Sequence, residues 1–198
     1  IAIHRIVQEG VANVTACYLR QSWEDETYVV TRIEAMLADK PDALRGVERT
    51  ISEIEREQGV QYAPLQRQAV ELAAKEELLL LTGGPGTGKT TSVRAIVALF
   101  ERMGLNVLLA APTGRAAKRL SELTGRKAST IHRLLEVDYT GGVVSFIHND
   151  KNLLKCDVVI LDEMSMVDVK LFQALIAALR YSCRIIMVGD ADQLPSVG

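Results

Sequence analysis

Two patterns of apolar positions divide the chain near residue 60. Before it, apolar residues recur at helical spacing. Val29, Ile33, Met36 and Leu37 share one face, and after Pro41, a favourable first helical residue, Leu44, Val47, Ile51 and Ile54 share another. The spacing predicts helices throughout residues 1–60. From Tyr62 onward, short apolar runs alternate with helical stretches. Runs at 78–81, 107–110, 158–161 and 185–188 predict strands buried on both faces. Between them, Val93, Ile96, Val97 and Phe100 line a helix stopped by Gly104, and Phe172, Leu175, Ile176 and Leu179 line a second. Strand–helix alternation predicts a parallel sheet with right-handed crossovers. Residues 138–148, with Gly141-Gly142 in the middle, predict a surface hairpin or loop insert. No internal repeat or low-complexity tract interrupts the pattern.

Composition narrows the picture. Of 198 residues, 48% are apolar and 24% charged, an ordinary globular balance that excludes a disordered, collagen-like or disulfide-dense chain. The net charge of −2 advertises no polyanion partner. Its distribution does. Residues 1–60 carry seven basic and eleven acidic side chains, whereas 111–133 hold six basic ones (Arg115, Lys118, Arg119, Arg126, Lys127, Arg133) against Glu122 alone. Cys17, Cys156 and Cys183 form no metal-type pair and read as reduced cytosolic thiols. No apolar run reaches the ~18 residues of a membrane span, so no membrane partner is expected. The start at Ile1 and the stop at Gly198 read as the ends of an excised fragment.

Residues 83–90 (GGPGTGKT) fit the phosphate-loop pattern between an apolar strand and an amphipathic helix. Glycines let successive N–H groups curl toward phosphate oxygens, and the helix N-terminus aims its dipole at the same anion. Lys89 bridges the β- and γ-phosphates, and the Thr90 hydroxyl binds Mg²⁺. The run at 158–161 leads into Asp162-Glu163. Neighbours at a strand end point to opposite sides of the pleat, so the two carboxylates are free to take different roles. Asp162 would hold Mg²⁺ through a water, and Glu163 would polarise the water that attacks the γ-phosphate, which marks a hydrolase rather than a kinase. After the fourth strand, Gln193 carries both donor and acceptor and is the candidate sensor of the γ-phosphate.

In this order and spacing the motifs resemble the first motor domain of superfamily 1 DNA helicases, and more narrowly RecD-like helicases, the exodeoxyribonuclease V alpha subunit family. The match is carried by residues 82–91 (TGGPGTGKTT), 111–120 (APTGRAAKRL), 130–135 (TIHRLL), 161–168 (LDEMSMVD) and 189–198 (GDADQLPSVG). Leu65-Gln66 with Ala69-Val70 resembles the family's glutamine motif. The resemblance implies a RecA-like phosphate-loop α/β domain over residues 61–198, preceded by a small all-helical accessory region, 1–60. It implies ATP and Mg²⁺ as ligands, with Gln66 at the adenine edge and Gly84, Pro85, Gly86, Thr87, Gly88, Lys89, Thr90 and Thr91 around the phosphates. Pro112, Thr113, Arg115, Thr130 and His132 would line a single-stranded DNA track, on the stretch where basic residues concentrate.

The implied function is an ATP-hydrolysing helicase or translocase on single-stranded DNA, moving 5′ to 3′ in the cytoplasm, with other helicase or nuclease subunits as partners. The family's second motor domain and its ATP-site arginines are absent from this sequence, so the fragment is expected to bind Mg·ATP and turn it over weakly. Two other readings stay open: a nucleotide-gated assembly subunit that docks through its acidic helical head, and a phosphate-loop ATPase with no nucleic-acid role.

Overall fold

The computed structural model describes residues 2–8, 11–38, 41–84, 86–138 and 145–190, with side chains from residue 19 onward. All four predicted runs are strands of one parallel sheet: β3 (Leu78–Thr82), β4 (Val107–Ala111), β8 (Val158–Leu161) and β9 (Arg184–Gly189). A fifth strand that no apolar run announces, β5 (Ala128–Thr130), completes the order β3-β9-β8-β4-β5. In register, Leu161 lies beside Ala110 and Met187, Thr82 beside Gly189, and Ala111 beside Thr130. The strands therefore stop at nearly the same level.

Helices cover both faces. On one, α2 (Val47–Gln58), α3 (Pro64–Lys75), α4 (Lys89–Arg102) and Leu120 of α5 (Gly114–Thr124) bury Val158, Ile160, Ile186 and Val188. On the other, α1 (Arg20–Ala38), α6 (Ile131–Leu135) and α7 (Val169–Ala177) bury Val159, Leu161 and Ile185. The alternation Val158/Ile160 against Val159/Leu161 is the two-residue period of a strand, with both faces apolar as a central parallel strand requires. The expected α/β architecture is what forms.

The predicted helix faces also hold: Val93, Ile96, Val97 and Phe100 of α4 are buried, and so are Phe172, Leu175, Ile176 and Leu179. The predicted insert is a hairpin of β6 (Val137–Asp138) and β7 (Ser145–Phe146); Gly141 and Gly142 lie outside the described residues.

Four expectations need correction. Residues 1–60 are not all helical, because β1 (Ala2–Gln8) and β2 (Val11–Tyr18) pair antiparallel. Ile3, Ile6, Val7, Val11, Val14 and Thr15 are β-branched, and two residues separate the strands, which favours a hairpin over a helix. Pro41 does not open a helix; α2 begins at Val47, after Gly46 takes the left-handed φ of 75° that caps it. Leu37, expected on the apolar face of α1, is 68% exposed. Finally, β3 is an edge strand, so Leu80 is 58% exposed instead of buried on both sides.

The acidic segment is tied to the sheet by packing and by charge. Ile51 and Ile54 of α2 are completely buried in the same cluster as Phe100. Glu55 accepts from the Tyr62 N–H at 2.8 Å and pairs with Arg67 at 2.9 Å, and Glu57 pairs with Arg102. On the opposite face, Arg32 of α1 is buried, donates to the Arg180 carbonyl at 2.6 Å and lies 3.7 Å from the centre of the Tyr181 ring.

At the amino ends of β8 and β9, Cys156 and Cys183 are free, buried thiols with sulfurs 3.6 Å apart. Their hydrogen bond, with burial, holds the Cys183 thiol far above the usual thiol range. No helix among the described residues is long and apolar enough to cross a membrane.

Truncating Ile54 leaves a cavity in this shared core, so Ile54→Ala is expected to cost about 2–5 kcal/mol. Urea denaturation of the full-length protein checks this, and a negligible loss would mean that α2 does not share the sheet's core.

Candidate nucleotide-binding site

The phosphate loop leaves the carboxyl end of β3 and enters α4 at Gly88, the N-cap residue. Gly88 has a φ of 88°, and a Cβ there would lie 2.5 Å from Gln66 Nε2. The backbone angle requires glycine. Gln66 thus touches the loop, while its Oε1 accepts from the Ala63 N–H at 3.0 Å and caps α3. The Lys89 ammonium donates to the Gly83 and Gly84 carbonyls, and Thr87 Oγ1 donates to the Gly84 carbonyl at 2.9 Å.

A cavity of about 330 Å³ opens beside this loop. Gly84, Gly86, Thr87, Gly88, Lys89 and Thr90 form one wall, and Asp162, Glu163, Gly189 and Asp190 another. The carboxylates do not split across the pleat as expected from a strand continuing through them. β8 ends at Leu161, and Glu163 adopts a left-handed backbone (φ 55°, ψ 44°), which turns both side chains into the cavity. For a non-glycine residue that conformation costs about 1–2 kcal/mol. The Glu163 N–H donates to Asp162 Oδ1 at 3.0 Å.

Burial raises the pKa of Asp162 above the usual carboxylate value, and the Glu163 charge adds to it. The hydrogen bond from the Glu163 N–H and the charges of Arg119 and Lys89 pull the other way.

These residues fit a phosphate group with a hard divalent cation. Curled backbone amides and a helix N-terminus face the cavity, and Thr90 and the desolvated Asp162 offer oxygen ligands. Among the described residues no cluster of three or more His, Cys, Asp or Glu could hold a metal by itself.

Of the other expected nucleotide residues, Thr91 is exposed outside the cavity lining, Gln66 reaches it only through Gly88, and Pro85 and Gln193 lie outside the described residues.

The residues expected on the DNA track gather along the same edge, at the ends of the next two strands. Pro112 and Thr113 follow β4, Thr130 closes β5, and the Ala111–Thr130 register sets these ends side by side. Both threonines cap helices. Thr113 Oγ1 accepts from the Ala116 N–H at 3.2 Å to open α5, and Thr130 Oγ1 accepts from the Arg133 N–H at 3.2 Å to open α6. Arg115 and His132 are exposed, the latter 6.0 Å from the Phe146 ring of the hairpin.

Two cavity residues escaped the sequence reading: Arg119, counted only as part of the basic stretch, and Asp190. The helical period was the available signal for Arg119, because Leu123, four residues on, shares its side of α5 and lines the same cavity.

The AAA domain family matches residues 66–198, two thirds of the sequence. The chain belongs to this family. Its expected narrower kinship, with RecD-like helicases, holds as well. It is 47% identical over 132 residues to the ATP-dependent RecD2 DNA helicase of Deinococcus radiodurans, covering 67% of this chain and 18% of that one. It is 36% identical over 205 residues to the RecBCD enzyme subunit RecD of Mycolicibacterium smegmatis, covering 91% of this chain and 35% of that one. Among solved structures it resembles a Pif1 helicase chain from a study of DNA unwinding at forked duplexes. That likeness has a TM-score of 0.54 and 26% identity and covers 70% of this chain and 36% of the other. The chain therefore spans about a third or less of the length of these relatives. Nucleotide binding is the property the family brings to the cavity.

The raised pKa of Asp162 means that folding disfavours its ionised form, so wherever the carboxyl is ionised its charge detracts from stability. Asp162→Asn is expected to raise the nucleotide-free Tm by about 2 °C, while thermal stabilisation by Mg·ATP is lost. A lowered Tm would contradict the burial penalty.

Proposed function

We propose that this chain is the first motor domain, with its accessory region, of an ATP-dependent DNA helicase that translocates 5′ to 3′ on single-stranded DNA. The observation that carries the reading is the shared sheet edge. A phosphate-loop cavity with two carboxylates borders, one strand away, the segment where the candidate DNA residues converge. The names of the relatives, two DNA helicases and a RecBCD subunit, support the nucleic-acid assignment and favour it over a nucleotide switch or a plain ATPase.

In this reading Lys89 leaves the loop carbonyls for the β- and γ-phosphates. Thr90 and Asp162 hold Mg²⁺, which neutralises charge on the phosphate oxygens. Glu163 positions and polarises the attacking water, and Gln193 senses the terminal phosphate. Gln66 reads the adenine edge with both amide atoms, which requires its Oε1 to release the Ala63 N–H. Thr113 and Thr130 use their oxygens as caps, and each hydroxyl retains a proton to donate to a DNA phosphate. Pro112, Arg115 and His132 complete the track.

Residues 1–60 act as the accessory region and 61–198 as the first motor domain, and a second motor domain supplies the missing arginines. In related phosphate-loop enzymes one such arginine changes the rate by about 10³–10⁵-fold. Other helicase or nuclease subunits are the expected partners, and the cytoplasm the expected compartment.

ATP turnover by the full-length protein, with and without a single-stranded oligonucleotide, tests the reading. Strong stimulation is expected, and Lys89→Ala is expected to lose about 10²–10³-fold in turnover. Turnover indifferent to DNA would favour the nucleotide-gated assembly subunit instead. Arg115→Ala is expected to lower the magnitude of the salt slope of single-strand binding by about 1 without changing Tm. An unchanged slope would remove Arg115 from the track. Alanine at Thr113 or Thr130 would confound such a test, since losing a cap costs about 1 kcal/mol by itself.

A further inference from the structure

α5 begins at the strand edge beside the candidate DNA residues and runs back along the sheet next to α4. Its inner side presents Arg119, Leu120, Leu123 and Thr124 to the phosphate cavity. The other cations of the stretch are engaged elsewhere or lie outside the cavity lining. Lys118 lies toward Glu122 and Arg126 is held by Glu101 at 2.6 Å, while Arg115, exposed like Arg119 and one turn ahead of it on the same side of α5, does not line the cavity. Arg119 has no hydrogen-bond or ion-pair partner among the described residues, although it shares a cavity with Asp162 and Glu163.

Helical side chains lean toward the helix N-terminus, which carries the guanidinium up toward the strand edge. The adenine candidate, Gln66, does not line this cavity, whereas Thr90, Asp162 and Glu163 do. Arg119 therefore shares the cavity with the candidate metal and terminal-phosphate residues, and its charge acts on Asp162.

We propose that Arg119 contacts the terminal phosphate of the bound nucleoside triphosphate, as an arginine supplied by the same domain that carries the phosphate loop. The assignment rests on the ATP-site reading above and adds a ligand to it. A guanidinium offers a planar fork of donors that matches two phosphate oxygens, and an unpaired arginine in the cavity is free to make that contact. With Lys89 it sets two cations against Asp162, Glu163 and Asp190. A triphosphate meets a more favourable field there than the acidic residues alone would provide. Arg119 lies roughly 7 Å along the helix axis from Gly114. One rigid element thus joins the terminal phosphate to the candidate DNA segment.

The test compares Mg·ATP and Mg·ADP affinities of the full-length protein carrying Arg119→Ala, Arg119→Lys or Lys89→Ala, together with single-strand affinity. Arg119→Ala is expected to weaken Mg·ATP by about 10- to 100-fold. Mg·ADP and single-strand affinity should stay unchanged, and Arg119→Lys should recover part of the loss. Equal loss for both nucleotides, or a loss confined to DNA, would overturn the assignment. If Lys89→Ala abolishes nucleotide binding while Arg119→Ala discriminates like the parent, Arg119 alone is misassigned. If Lys89→Ala binds both nucleotides normally, the ATP site itself is wrong.

Discussion

Strands that run in one direction and start level must end level, and this constraint organises the molecule. β8 is buried along its whole length, with Leu161 between Ala110 and Met187, so the central strands stop on a common line. Every residue that follows a strand then emerges at the same edge: the phosphate loop after β3, Asp190 after β9, Asp162-Glu163 after β8, Pro112-Thr113 after β4 and Thr130 at the end of β5. Open α/β sheets bind ligands along this edge for the same reason. The order β3-β9-β8-β4-β5 sets phosphate chemistry at one end and the basic segment at the other. The carboxylates stand at the junction.

Around the cavity, local choices oppose stability. Asp162 is desolvated and Glu163 holds a left-handed backbone. Each is unfavourable in a resting protein and suited to a site that gains a triphosphate and a cation. The apolar clusters on the two faces of the sheet supply the compensation, with α2 contributing to one and α1 to the other. The acidic N-terminal helices therefore stabilise the nucleotide domain itself, whatever else they meet.

The apolar runs and the phosphate loop were readable because each is a local pattern: four consecutive apolar residues, or glycines and a lysine at fixed spacing. Features that depend on neighbours distant in sequence were not. β5 is three residues long and is a strand only because β4 pairs with it. Leu80 looks like any buried leucine until the sheet order leaves β3 at an edge. Cys156 and Cys183 are 27 positions apart and meet because β8 and β9 are neighbours. Arg119 is one of six cations in a linear charge count, and only the packing of α5 beside the phosphate loop brings it, rather than Arg115 one turn earlier on the same side, to the cavity. The first hairpin carries a local signal of its own, β-branched residues on either side of two connecting residues, and the helical spacing that begins at Val29 does not extend back to it.

The central claim is that nucleotide and single-stranded DNA share one sheet edge and bias the same elements. Single-strand affinity of the full-length protein, measured with and without a saturating non-hydrolysable ATP analogue and Mg²⁺, tests it directly. Coupling through shared elements is expected to shift that affinity by about 5- to 150-fold, and DNA should shift analogue affinity by the same factor. An affinity for DNA identical in both conditions would contradict the account.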